Sequence, residues 1–132
     1  MTIIQVLSQA HDILLACDIE DTPLECELLL RHTLGINRTE LYQGLDLQLS
    51  PAEEEKFWSL LERLISGEPS AYITGHREFY GLDFNVDPAV LIPRPESELL
   101  VEMALNLTRQ RPITTIAEIG TGCGAIVISL AL

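Results

Sequence analysis

The stretch that decides the fold runs Ile113-Thr114-Thr115-Ile116-Ala117-Glu118-Ile119-Gly120-Thr121-Gly122-Cys123-Gly124-Ala125. Its first seven residues are rich in β-branched side chains, the composition of a buried parallel strand. Three glycines at alternate positions follow, and Ala125 to Leu132 then reads as the opening of a helix. Strand, glycine loop and helix in that order is the context that a nucleotide-type ligand loop requires. Glycine tolerates positive φ and puts no Cβ between the backbone and a ligand. Gly120, Gly122 and Ala125 satisfy G-x-G-x-x-A, a dinucleotide fingerprint. Gly120, Gly122 and Gly124 equally satisfy G-x-G-x-G, with the acid Glu118 just ahead of them. A purely structural glycine turn is the third reading.

Upstream of this stretch, Leu99, Leu100, Met103, Ala104 and Leu107 share one face of a helix that starts around Pro95, with Glu96 and Glu98 in its first turn. Before it, Pro93 and Pro95 hold Arg94 extended. Such a segment can present a side chain at a site, and it can equally be a linker. Residues 71–94 change to a strand-like pattern. Tyr72-Ile73 leads into Gly75, Tyr80-Gly81 can turn the chain, and Leu82 to Val86 alternates apolar and polar residues. A β-hairpin follows from that pattern.

The first seventy residues read as a helical bundle. Ile3, Val6, Leu7, Ala10, Ile13 and Leu14 recur at helical spacing after a Thr2/Gln5 capping box. A second helix has Thr22 as its N-cap, Pro23 at its first position and an apolar face from Leu24 and Leu28 to Leu30, with Gly35 as its stop. A short helix spans Thr39 to Gln43. The fourth opens with Ser50-Pro51-Ala52-Glu53, buries Phe57, Leu60, Leu61, Leu64 and Ile65 along one stripe, and closes at Gly67. Trp58 covers the edge of that stripe. The expected organisation is therefore α+β: a helical domain over 1–70, a hairpin and Pro-rich linker over 71–94, and the beginning of a further domain over 95–132.

Composition removes several classes. The 132 residues carry 20 acids against 8 bases, a formal net charge of −12. That argues against a nucleic-acid surface, which needs clustered Lys and Arg, and against a polybasic membrane anchor. The charge is uneven: 13 acids and 4 bases fall in residues 1–70, and 7 acids and 4 bases in 71–132. No apolar run reaches the ~18 residues of a membrane span, and no secretory signal is visible. Cys17, Cys26 and Cys123 form neither a disulfide framework nor a zinc pattern, so buried free thiols in a reducing, cytoplasmic compartment are expected, with no metal.

The order of motifs is specific. Glu68-Pro69-x-x-Tyr72-Ile73-x-Gly75 comes first, then Glu78-Phe79-Tyr80-Gly81-Leu82-x-Phe84-x-Val86. Val90-Leu91-Ile92-Pro93-Arg94-Pro95-Glu96-Ser97-Glu98 and the glycine loop follow. This order resembles the HemK/PrmC family of protein-(glutamine N5) methyltransferases, which modify the Gly-Gly-Gln motif of peptide chain release factors. The resemblance is diffuse in the N-terminal helices and sharp from Glu68 to Gly124. It implies a helical substrate-docking domain, a linking hairpin and a Rossmann-like methyltransferase domain. It also implies S-adenosylmethionine as cofactor, held by Glu118, Gly120, Thr121, Gly122, Cys123 and Gly124, with Arg94, Pro95, Glu96 and Ser97 walling the site. The implied partner is a release factor, with no nucleic acid, membrane or metal.

This sequence departs from the family pattern in ways that matter. Ser97 stands where Thr is common, and Glu118 where Asp is usual. The ribose-binding acid of the next strand and the family's Asn-Pro-Pro-Tyr motif have no counterpart: Asn37, Asn85 and Asn106 are the asparagines, and none precedes a proline. The resemblance therefore implies the N-terminal portion of such an enzyme, inactive alone, with no catalytic residue to name. Two other readings stay open: a stand-alone helical protein-binding module, and a fragment of a dinucleotide-binding oxidoreductase.

Overall fold

The computed structural model describes residues 1–112 and 115–132. It divides into two compact units, Met1–Thr74 and Gly75–Leu132.

The first unit is all helix. Its elements are α1 (Ile3–Ala16), α2 (Thr22–Leu34), α3 (Arg38–Gln43), α4 (Pro51–Ile65) and α5 (Ser70–Thr74). Their starts are written in capping chemistry. At α1 the Gln5 N–H donates to the Thr2 hydroxyl and the Thr2 N–H to the Gln5 side chain. Ser50 and Glu53 do the same at α4. Each reciprocal pair satisfies backbone donors that the first helical turn would otherwise leave open. Asn37 and Glu40 form a third such box at α3, one residue earlier than the Thr39 start expected from sequence. The backbone also helps at α1, where the N–H groups of Ile3 and Ile4 donate to the carbonyls of Leu47 and Leu45.

Helix α2 departs from its expected start. Asp21, at φ 52°, is the N-cap residue and gives no side-chain cap, while Thr22 is buried as the first helical residue. Thr22 thus stands one position inside the N-cap, where its hydroxyl is not the capping group. The buried face is also rotated: Cys26, Leu29 and Leu30 are inside, while Leu24 is exposed. Gly35 ends the helix at φ 67°, the left-handed conformation that glycine adopts without penalty.

The core of this unit joins Val6, Ala10 and Leu14 of α1, Cys26, Leu29 and Leu30 of α2, Leu41 of α3 and Phe57, Leu61 and Leu64 of α4. Trp58 meets Phe57 edge to face at 5.1 Å and covers the cluster's side. Ile65, placed on the α4 stripe by its spacing, is exposed. Of the three thiols expected to be buried, Cys26 is buried, Cys123 is half-buried and Cys17, at the C-cap of α1, is exposed. Residues 70–74 form α5 and not the extended lead-in that Tyr72-Ile73 suggested. The tail of the helical pattern continues there, and Ile73 closes onto the same core.

The second unit contains β1 (His76–Phe79), β2 (Leu82–Asn85), α6 (Ser97–Gln110) and α7 (Ala125–Ala131). β1 and β2 pair antiparallel, with Phe79 opposite Leu82 and Arg77 opposite Phe84. The two linking residues, Tyr80 and Gly81, have φ 50° and 75°. Positive φ at both central positions is the type I′ geometry that matches strand twist. Glu98, in the first turn of α6, accepts the Tyr80 backbone N–H at 2.9 Å and ties that turn to the helix. Phe79, Phe84, Val101 and Ala125 make the core here, with Phe79 and Phe84 in edge-to-face contact at 6.3 Å.

Two expectations for this unit change. The apolar face read on α6 is the exposed one: Leu99, Leu100, Met103 and Leu107 face solvent, and Val101 with Leu105 meets the small core. The amphipathic pattern identifies a stripe, and the hairpin offers an apolar surface only to the narrower Val101 side. The strand expected over 113–119 is absent from its described part, since Thr115–Glu118 have no regular secondary structure. A parallel strand forms only against neighbours, and the sheet of the described residues is the two-stranded hairpin. Ile113 and Thr114 lie outside the described residues.

Candidate functional site

The glycine loop and the Pro-Arg-Pro segment, more than twenty residues apart in sequence, meet in the second unit around a cleft of about 130 Å³. Glu118, Gly120, Thr121, Gly122 and Cys123 line it, and so do Arg94 and Ser97. Of the other expected residues, Gly124 sits at the N-cap of α7, while Pro95 and Glu96 stand outside the lining, with Glu96 preceding the first turn of α6. Leu91, Ile92, Pro93, Ala125 and Ile126 complete the wall and were not expected. Val90-Leu91-Ile92 was legible only as an apolar run, without a sign of what it would face.

The loop takes its shape from its glycines. Gly120, Gly122 and Gly124 have φ 72°, 55° and 84°. Side chains in that region strain the backbone by about 1–2 kcal/mol per residue. The Gly124 N–H donates to the Thr121 carbonyl at 2.8 Å, closing a tight turn between them. No atom of the described residues lies within 4 Å of where a Cβ on Gly120 or Gly122 would stand, so their backbone is open to close approach. At Gly124 a Cβ would sit 3.0 Å from Ile128 Cδ1, and here the glycine serves packing as well as φ.

Glu118 is the carboxylate of the cleft. Its Oε2 is buried and has no hydrogen-bond partner among the described residues. A buried carboxylate oxygen left unpaired is costly, so the position favours a donor from outside the chain. The cleft thus joins an acceptor for a cationic donor, a backbone without Cβ atoms, and an apolar wall with one guanidinium, Arg94, on its lining. That donor set suits a small amphipathic ligand with an ammonium group. Among the described residues no group of three His, Cys, Asp or Glu side chains could hold a metal ion, and no helix is long and apolar enough to cross a membrane.

The defining pattern of the PrmC N-terminal domain matches residues 5–75. The chain is 44% identical over 131 residues to a protein of Moorella thermoacetica named release factor glutamine methyltransferase, covering 99% of this chain and 46% of that protein. It is 41% identical over 131 residues to a protein of the same name from Koribacter versatilis, covering 99% and 47%. A third, from Burkholderia pseudomallei, is 45% identical over 108 residues, covering 82% and 38%. The chain belongs to the PrmC family. It spans about half the length of the curated relatives it matches.

Proposed function

We propose that this chain is the N-terminal portion of a release factor glutamine methyltransferase, with residues 1–70 docking the substrate and residues 95–132 beginning the methyltransferase domain. The reaction is transfer of a methyl group to the side-chain amide N5 of the glutamine in a release factor's Gly-Gly-Gln motif, in the cytoplasm. S-adenosylmethionine supplies that methyl group when bound. The observation that carries this reading is the cleft itself, which brings Glu118, the glycine loop and Arg94-x-x-Ser97 to one place.

Each of these residues has a definite task. The unpaired Glu118 oxygen accepts from the cofactor's ammonium group. Gly120 and Gly122 let the backbone come close to its amino-acid portion, and Thr121 and Cys123 complete the loop edge. Arg94 and Ser97 wall the cleft on the opposite segment, held there by the flanking prolines. An amide nitrogen is a weak nucleophile because its lone pair is delocalised, so catalysis must come from positioning and from stabilising developing charge. The Asn-Pro-Pro-Tyr motif that serves this in the family is not in these 132 residues, so the chain by itself is expected to be inactive and to hold the cofactor weakly.

A chimera tests the reading. Residues 1–131 replace the matching segment of the Moorella thermoacetica protein, and methylation of a release factor is followed with labelled cofactor. The chimera should turn over, and Glu118→Gln should raise the KM for S-adenosylmethionine about tenfold or more, the loss expected for one charge-assisted hydrogen bond. An unchanged KM would remove Glu118 from the site. Turnover by the 132-residue chain alone would refute its inactivity.

A further inference from the structure

A second cavity lies wholly within the helical unit, apart from the cofactor cleft. It measures about 290 Å³ and opens between α1, α2 and α3, with Ile4, Leu7, Ser8 and His11 on one side and Pro23, Cys26, Glu27 and Tyr42 on the other. Ile4, Leu7, Pro23 and Cys26 make its apolar half. Cys26 belongs there as an apolar group, because burial and then the neighbouring Glu25 charge push its thiol up to about 11 and keep it protonated. Ile4 and Tyr42 at the cavity are exposed, at 50% and 52%.

Ser8, His11, Tyr42 and Glu27 make the polar half, and Glu27 is its carboxylate, with a side chain only 5% exposed. Its Oε1 pairs with Arg38 Nε at 3.0 Å and more loosely with Arg31 at 3.5 Å. Its Oε2 accepts the Tyr42 hydroxyl at 3.0 Å. A carboxylate has about four acceptor sites, so Oε2 retains capacity beside that one bond. An apolar tip pressed against it would strip water from the carboxylate and return no donor, which is unfavourable. An anionic tip would meet like charge. The site calls for an aliphatic stem that ends in hydrogen-bond donors.

Glu27 itself already meets two guanidiniums, so it is the net charge of the whole unit that selects among such groups. The helical unit carries 13 acids and 4 bases, residues 71–74 adding none. A field of that sign draws cationic partners and repels acidic ones. Between the two cationic side chains, guanidinium is the more weakly hydrated and forks its donors in a plane, which suits a half-apolar cavity at whose rim the Tyr42 ring already carries one guanidinium, that of Arg38, 5.8 Å from its centroid. We infer that the α1–α2–α3 cavity is a receptor for an arginine side chain presented by a basic segment of a protein partner. The inference does not depend on the reading of the glycine loop.

Titration of the ¹⁵N-labelled chain with N-acetyl-arginine amide, N-acetyl-lysine amide and N-acetyl-leucine amide tests it by NMR. The arginine compound should give saturable shifts at Leu7, Ser8, His11 and Tyr42, with an affinity several-fold above that of the other two. Ser8→Trp fills the cavity from an exposed helix position and should abolish those shifts while leaving the rest of the spectrum in place. Glu27→Gln should weaken binding about tenfold. Equal or tighter binding of the leucine compound would make the cavity an apolar anchor and overturn the inference. Tighter binding of lysine, shifts that survive in Ser8→Trp, or no saturable shift with arginine would overturn it as well.

Discussion

The helical unit and the hairpin unit are built from similarly apolar sequence and end in different states. In the first, fourteen buried residues from α1 to α5 and the loops close around one another, and the capping boxes satisfy the helix starts. In the second, four buried residues form the cluster, while Leu91, Leu99, Leu100, Met103, Leu107, Ile116 and Ile119 are exposed. Buried apolar area stabilises a fold by roughly 25 cal/mol per Å², so the two units differ in what holds them. Amphipathic helices can satisfy one another locally. A parallel strand and a helix meant to lie on a sheet need the sheet first.

Hydrogen exchange gives the largest expected contrast. Amides of α2 and α4 should exchange only through global opening, and those of residues 115–123 through small local openings. A difference of ~4 kcal/mol in opening free energy corresponds to protection factors that differ about 10³-fold. Equal protection in the two segments would break the comparison, because it would mean that the hairpin unit is as tightly held as the bundle.

Substitutions sharpen it next. Phe57 is fully buried, and Phe57→Ala should cost about 3–5 kcal/mol in chemical denaturation, the usual cost of removing a core aromatic ring. Leu99, at 63% exposed, sits on the open face of α6, and Leu99→Glu should change stability by no more than about 0.5 kcal/mol. Sequence pattern alone ranks both positions as core. A large loss from Leu99→Glu would show that the face is covered in solution.

The contrast also explains what could be read in advance. Caps at Thr2 and Ser50, the Tyr80-Gly81 turn and the glycine loop are local signals, since each depends on residues within a few positions. The structure carries all four. At Thr22 the Thr-Pro pair marks a helix start, but it cannot say whether the threonine caps the helix or is its first buried residue. The α6 stripe was misread because periodicity gives the spacing of a face and not its partner. The convergence of Arg94 and Ser97 with Glu118 was suggested by resemblance, whereas Leu91 and Ile92 became visible as lining only once the chain was folded. Glu27 left no signal at all. It is one acid among 13 in its half of the sequence, and its burial depends on Arg38 and Tyr42 from another helix.

The smallest expected effect concerns acid. The Ser50 backbone N–H, and after it the Ser50 hydroxyl, hold Glu53 below the usual carboxylate value of 4.5. The Arg63 guanidinium does the same for Glu68, through hydrogen bonds at 2.7 and 2.5 Å. A carboxyl whose folded pKa is depressed contributes stability that is complete above its unfolded pKa and is lost as pH falls through the folded value. Both groups belong to the helical unit, so its melting temperature should fall modestly as the solution is taken below pH 4.5. Glu53→Gln removes one of the two titrations, and its acid slope should be shallower than that of the unaltered chain. Both side chains are only partly buried, and solvent and salt screen them, so the slope difference should shrink further in 1 M salt. A slope that Glu53→Gln leaves unchanged would mean that the α4 capping box holds through the hydroxyl and backbone alone, without the carboxylate charge.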